Sequence, residues 1–85
     1  MKSVTIYTSP MCPYCWRALG LLKKKSVSFK EISVGMNAKL RAEMVQRSGG
    51  VTSVPQIFID DTHIGGCDEM MALERRGKLD GMLAA

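Results

Sequence analysis

A chain of 85 residues with a net charge of +4 has the size of one domain, 1–85, and buries roughly 60 to 70% of the surface its unfolded form exposes. Three cysteines, two of them in one C-x-x-C, exclude the disulfide framework of a small secreted protein and favour a reducing compartment, the cytoplasm. No apolar signal core follows Met1-Lys2 and no run is fit to span a membrane, so neither export nor insertion is expected. The basic residues are scattered, and the densest run, Lys23-Lys24-Lys25, reads as a solvated helix end rather than a nucleic-acid patch.

Val4 and Ile6 alternate with Thr5 and Tyr7, which predicts a strand that Ser9-Pro10-Met11 breaks. Cys12-Pro13-Tyr14-Cys15 then opens a helix-patterned run ending near Lys24. Pro13 suits a first helical position, and Trp16, Leu19 and Leu22 recur at helical spacing beside Cys15 and Ala18, a stripe expected to pack on a sheet with Trp16 in the core. A cysteine at a helix N-terminus lies near unpaired N–H groups and the positive end of the macrodipole, which favour thiolate. Cys12 is therefore the candidate nucleophile. Cys15, about one turn on, is the candidate resolving thiol.

Val27 to Val34 predicts a second strand, parallel to the first because a helix makes the crossover. Asn37 is a fitting N-cap for a helix from about 38 to 48 with Leu40, Met44 and Val45 on one face, stopped by Gly49-Gly50. Val54-Pro55 leads into a short strand, Gln56 to Ile59, which turns at Asp60-Asp61 and returns as Thr62-His63-Ile64, with the polar tip of His63 near solvent. Gly65-Gly66 permits backbone conformations closed to other residues, and a third helix starts near Cys67 with Asp68 and Glu69 in its first turn. The segment from Lys78 adds a further turn of helix. The order is β-α-β-α-β-β-α, an α/β class.

Three stretches agree in order and spacing: strand-Cys12-Pro13-Tyr14-Cys15-helix, Thr52-Ser53-Val54-Pro55 before a strand, and Gly65-Gly66-Cys67-Asp68 opening the last helix. In these the chain resembles the glutaredoxins, most of all the small bacterial dithiol type, over essentially its whole length. The resemblance implies a thioredoxin-like fold, a four-stranded mixed sheet flanked by helices; a monomer is the simplest reading of the chain. It also implies a glutathione-dependent thiol-disulfide oxidoreductase with no tightly bound cofactor and no metal. Such an enzyme reduces glutathione mixed disulfides with Cys12 alone and protein disulfides with Cys12 and Cys15, and is itself reduced by glutathione. Its partners would be glutathione and disulfide-containing or glutathionylated proteins, ribonucleotide reductase being one client the family serves.

Residue by residue, the resemblance assigns Tyr14 to the border of the glutathione groove and Ser53, Val54 and Pro55 to its side. The Val54 main chain would pair with the cysteine of glutathione, and Pro55 matches a cis-proline. Gly66, Cys67 and Asp68 would receive the γ-glutamyl end, through N–H groups for the α-carboxylate and the Asp68 carboxylate for the ammonium. Cys67 reads as structural rather than redox-active. Arg41 is the positional match for the cation that meets the glycyl carboxylate. Two departures stand out. Many relatives carry a lysine just before the first cysteine where this chain has Ser9-Pro10-Met11, and the Gly50-Val51-Thr52-Ser53 approach is one residue longer than in close relatives.

Two other chemistries use the same thiols. An iron–sulfur cluster held by Cys12 and glutathione in a dimer goes, within the family, with glycine or serine after the first cysteine, and Pro13 argues against it. A zinc site from Cys12, Cys15, His63 and Cys67 has suitable ligand types, but His63 on a strand and Cys67 at a helix start are not the facing turns of small zinc folds.

Overall fold

The structure, a computed structural model, describes residues 2–84. The elements in chain order are β1 (Val4–Thr8), α1 (Pro13–Lys24), β2 (Phe29–Ser33), α2 (Ala38–Arg47), β3 (Gln56–Ile59), β4 (Thr62–Gly65), α3 (Cys67–Arg75) and α4 (Leu79–Leu83). The strands form one mixed sheet in the order β2-β1-β3-β4, parallel between β1 and β2 and antiparallel at the other two pairings. The expected β-α-β-α-β-β-α order is present, and the turn after Lys78 is α4.

The two-residue period of the central strands sorts the core into two layers. Val4 and Ile6 of β1 and Ile57 and Ile59 of β3 join Ala18, Leu22, Met70, Leu79 and Leu83 on the face covered by α1, α3 and α4. Tyr7 and Phe58, from the alternate positions, meet Val34 and Met44 on the face covered by α2. The first layer is apolar throughout, and each fully buried Leu or Ile there contributes about 1.5–3 kcal/mol. The second carries a polar network: the Tyr7 hydroxyl donates to Glu43 Oε2 at 2.7 Å and accepts from Arg47 Nη1 at 3.0 Å, with the Arg47 guanidinium 4.2 Å from the Phe58 ring centroid. Burial, and then the hydrogen bond to Glu43, push the Tyr7 phenol above its ordinary range.

Two expectations are corrected here. Trp16 is 56% exposed rather than in the core. The buried line of α1 is Cys15, Ala18 and Leu22, spaced i, i+3, i+7, and Trp16 stands one residue, about 100°, off that line. The lysine run is not wholly solvated either, since Lys25 bonds Glu74 Oε1 at 2.8 Å and Asp80 Oδ1 at 2.6 Å, tying the end of α1 to α3 and α4.

The loop from β1 to α1 is shaped by a close approach. A Cβ at Gly35 would lie 2.6 Å from Pro10 Cδ and 3.2 Å from Ser9 Cβ, so only glycine lets the chain after β2 pass against the segment that delivers Cys12. Gly35→Ala is expected to destabilise the protein by about 1–3 kcal/mol in urea unfolding, because the Pro10 ring is rigid and must move. Gly20→Ala is the matched control: nothing lies within 4 Å of its added methyl in the interior of α1, so it is expected to stabilise by about 0.5–1 kcal/mol.

Candidate functional site

β1 ends at Thr8, Met11 takes a left-handed conformation (φ 60°) with its side chain exposed, and Cys12 follows as the N-cap of α1 in extended geometry. Pro13 takes the first helical position, where its missing N–H costs nothing. Cys12 carries the cap with sulfur rather than oxygen: the Cys15 N–H donates to Cys12 Sγ at 3.2 Å, and the Trp16 N–H donates to the Cys12 carbonyl at 3.1 Å. The two thiols are joined in a disulfide with their Cα atoms 5.2 Å apart. Cys12 is half-buried and Cys15 is buried. Of the two sulfur-bearing residues Cys12 is thus the more accessible and Cys15 the enclosed one. The first turn of α1 holds no acidic residue, so nothing there opposes a thiolate on Cys12.

Beside the disulfide loop a cleft of about 480 Å³ brings seven of the eight predicted binding residues together. Tyr14 lines it from α1, Ser53, Val54 and Pro55 from the approach to β3, and Gly66, Cys67 and Asp68 from the start of α3. The Val54–Pro55 peptide is cis. Among the described residues no main-chain hydrogen bond outside regular elements engages Val54. Arg41 is the one predicted binding residue that does not line the cleft. Its Nη1 donates instead to the Thr52 carbonyl at 2.9 Å, next to Ser53.

The loop into β3 is held by a run of side chains. Ser48 Oγ lies 3.1 Å from the Val51 carbonyl and accepts the Val51 N–H at 3.1 Å. Arg41 holds the Thr52 carbonyl, and Gln56 Nε2 donates to the Ser53 carbonyl at 3.0 Å. Two successive carbonyls, those of Thr52 and Ser53, are thereby fixed just before Val54, while the single Ser48 hydroxyl proton is within reach of both the Val45 and the Val51 carbonyls.

At the other end of the cleft the two glycines play different parts. Gly65 has φ +115°, in the region that favours glycine, and its added Cβ would meet Glu69 Cγ at 2.8 Å. Gly66, at φ −97°, is backbone any residue adopts; its restriction is steric, a Cβ there lying 3.2 Å from the Pro55 carbonyl. Glu69 Oε1 accepts the Gly66 N–H at 2.6 Å, so Cys67 and Asp68 carry the first-turn N–H groups that Glu69 leaves unengaged. Burial pushes the Cys67 thiol up, Arg17 pulls partly against this, and Asp68 and Glu69 add to it. Cys67 thus fits the structural role read from the sequence.

Sequence reasoning missed four contributors: Gly35 behind the Cys12 loop, Glu69 as the acceptor for Gly66, and the Gln56–His63 pair. His63 does not end in solvent but lies with its Nε2 2.6 Å from Gln56 Oε1 and its ring stacked on Phe58. The available signal was Gln56 itself, a polar residue in an otherwise apolar strand. Among the described residues no group of three or more His, Cys, Asp or Glu is placed to hold a metal ion. No helix among them is long and apolar enough to cross a membrane.

Comparison with known proteins agrees with this geometry. The family model for glutaredoxin matches residues 4–64. The Escherichia coli protein named glutaredoxin 3 is 57% identical over 83 residues, covering 98% of this chain and 99% of its own. The solution structure of a glutaredoxin from Brucella melitensis superposes with a TM-score of 0.84 at 53% identity, covering 98% of this chain and 89% of that one. A crystal structure of a buckwheat glutaredoxin–glutathione complex gives a TM-score of 0.84 at 31% identity, covering 94% and 74%. With its thioredoxin-like fold and its Cys12–Cys15 pair at a helix start, the chain belongs to the glutaredoxin family and is a thiol-disulfide oxidoreductase.

Proposed function

We propose that glutathione is the reductant and that the cleft beside Cys12 is where it binds, in a single-domain, monomeric enzyme of the cytoplasm. The observation that carries the reading is the cleft itself: it runs from Tyr14, between the two cysteines, past Val54 to the start of α3. A short thiol peptide fits that arrangement. The Val54 main chain offers one-residue strand pairing to the central cysteine, and the Cys67 and Asp68 N–H groups with the Asp68 carboxylate suit an α-amino acid end. Tyr14 and Ser53 border the peptide, and Pro55 and Gly66 keep the backbone close to it. Arg41 keeps part of its fork for the glycyl carboxylate while holding Thr52. The buckwheat relative in complex with glutathione supports the same assignment.

The chemistry is thiol–disulfide exchange. The Cys12 thiolate attacks the glutathione sulfur of a mixed disulfide, forming Cys12–S–S–glutathione and expelling the client thiolate, which takes a proton from solvent. A second glutathione thiolate then attacks the bound glutathione sulfur, giving glutathione disulfide and the free Cys12 thiolate. With a protein disulfide, Cys12 forms the mixed disulfide and the Cys15 thiolate attacks Cys12 Sγ, leaving the Cys12–Cys15 disulfide and a reduced client. Two glutathione molecules restore the dithiol. Clients are disulfide-containing or glutathionylated proteins, ribonucleotide reductase among the candidates.

Replacement of single thiols tests the division of labour. Cys15→Ser is expected to keep turnover of a glutathione mixed disulfide and to lose reduction of protein disulfides, whereas Cys12→Ser loses both. Equal loss of mixed-disulfide turnover in the two variants would sink the assignment. Acidity is tested by alkylation: in the reduced protein at pH 7, iodoacetamide should label Cys12 at least about tenfold faster than Cys67, because burial holds Cys67 as a thiol while a helix terminus favours thiolate at Cys12. Peptide mapping by mass spectrometry reads the two rates.

A further inference from the structure

We infer that His63 is a positioning residue for the glutathione side of the cleft: it fixes the Gln56 amide, and through it the Ser53 carbonyl, in the orientation that presents Val54. The inference deepens the glutathione reading above and rests on it. His63 pairs with Phe58 across β3 and β4, and the two-residue period puts Gln56 on the same face as Phe58, diagonal to His63. Stacking on Phe58, with centroids 4.9 Å apart and planes at 27°, sets the imidazole plane.

The polarity of the chain follows from its far end. The Ser53 carbonyl accepts only, so the Gln56 atom 3.0 Å away is the donating nitrogen and Oε1 faces His63. The 2.6 Å contact therefore requires the proton on His63 Nε2. Gln56 is 3% exposed, so its amide is held by partners within the fold. Without a donor at position 63 the Gln56 oxygen has no partner, and the amide is free to turn away from Ser53. Arg41 holds the preceding Thr52 carbonyl directly, whereas the hold on the Ser53 carbonyl depends on a second side chain behind Gln56. Ser53, Gln56 and His63 all line the cleft.

The test compares two disulfides with dithiothreitol as the common reductant: the mixed disulfide of glutathione with 2-mercaptoethanol, and bis(2-hydroxyethyl) disulfide, which has no peptide to pair with Val54. In His63→Leu the ratio of kcat/KM for the first over the second is expected to fall about fivefold, the equivalent of one lost hydrogen bond, and through KM for the glutathionyl substrate. Gln56→Met should give the same fall, the double variant no more than either alone, and His63→Gln, which restores a donor, should recover the ratio. Thermal unfolding of each variant identifies any that fail to fold, and the paired disulfides keep the comparison internal to each protein. A wild type that prefers the glutathionyl disulfide with an unchanged ratio in His63→Leu and Gln56→Met overturns the positioning role, as does a double variant with multiplied losses. A wild type with no preference between the disulfides overturns the glutathione reading itself.

Discussion

The site depends on β3 running antiparallel to both of its neighbours. Tyr7, near the end of β1, is opposite Gln56 at the start of β3, and Ile57 is opposite Gly65 at the end of β4. Three segments far apart in sequence, the Cys12 loop, Val54-Pro55 and Gly66-Cys67-Asp68, therefore leave the sheet at the same end. A one-residue slip would turn Ile57 and Ile59 from the apolar layer to the polar one, so the burial that holds the register also holds the site together. The irregular pairing between Ile57 and Phe58 lets β4 keep His63 opposite Phe58 while Gly65 still reaches Ile57.

Two thiols stand at helix starts, and their surroundings give them opposite characters. Cys12 is a half-buried N-cap whose sulfur accepts an N–H, in a helix with no acid in its first turn. Cys67, the first residue of α3, is 3% exposed and is followed by Asp68 and Glu69, and its titration is pushed up. A helix terminus alone thus does not make a reactive cysteine; access and the sign of neighbouring charge decide. Ser9-Pro10-Met11 places no basic side chain directly before Cys12, so the donors at its sulfur are main-chain groups of α1, which are fixed by folding.

What the sequence made legible followed from periodicity and punctuation. Alternation placed β1, a short apolar run after Val54-Pro55 placed β3, Asn37 capped α2 through its side chain to the Leu40 N–H, and Pro13 and the acid-to-base order of α3 marked the helix ends. The cysteine motif and the two stretches around Val54 and Cys67 made the family and most of the cleft readable. Trp16 was misplaced because helical spacing tolerates two neighbouring stripes, and only the docked sheet decides which one is buried. Gly35 was silent because its constraint is a contact with Pro10, 25 residues earlier in the chain, that no local pattern encodes. His63 and Lys25 were read as solvated because their partners, Gln56 and the Glu74–Asp80 pair, lie on other elements.

The uneven distribution of polar groups in the core has a physical reading. The cluster under α1, α3 and α4 is apolar, while the other face buries Ser48 and Gln56 together with the Tyr7 phenol. A buried polar group costs about 1–3 kcal/mol if left unpaired, so such groups persist where their bonds do something packing does not. Here no buried side-chain nitrogen or oxygen among the described residues lacks a partner. Ser48 and Gln56 reach the carbonyls of Val51 and Ser53, with half-buried Arg41 on Thr52 between them. The polar face of the sheet thereby connects the packing of α2 to the loop that carries Val54 into the cleft.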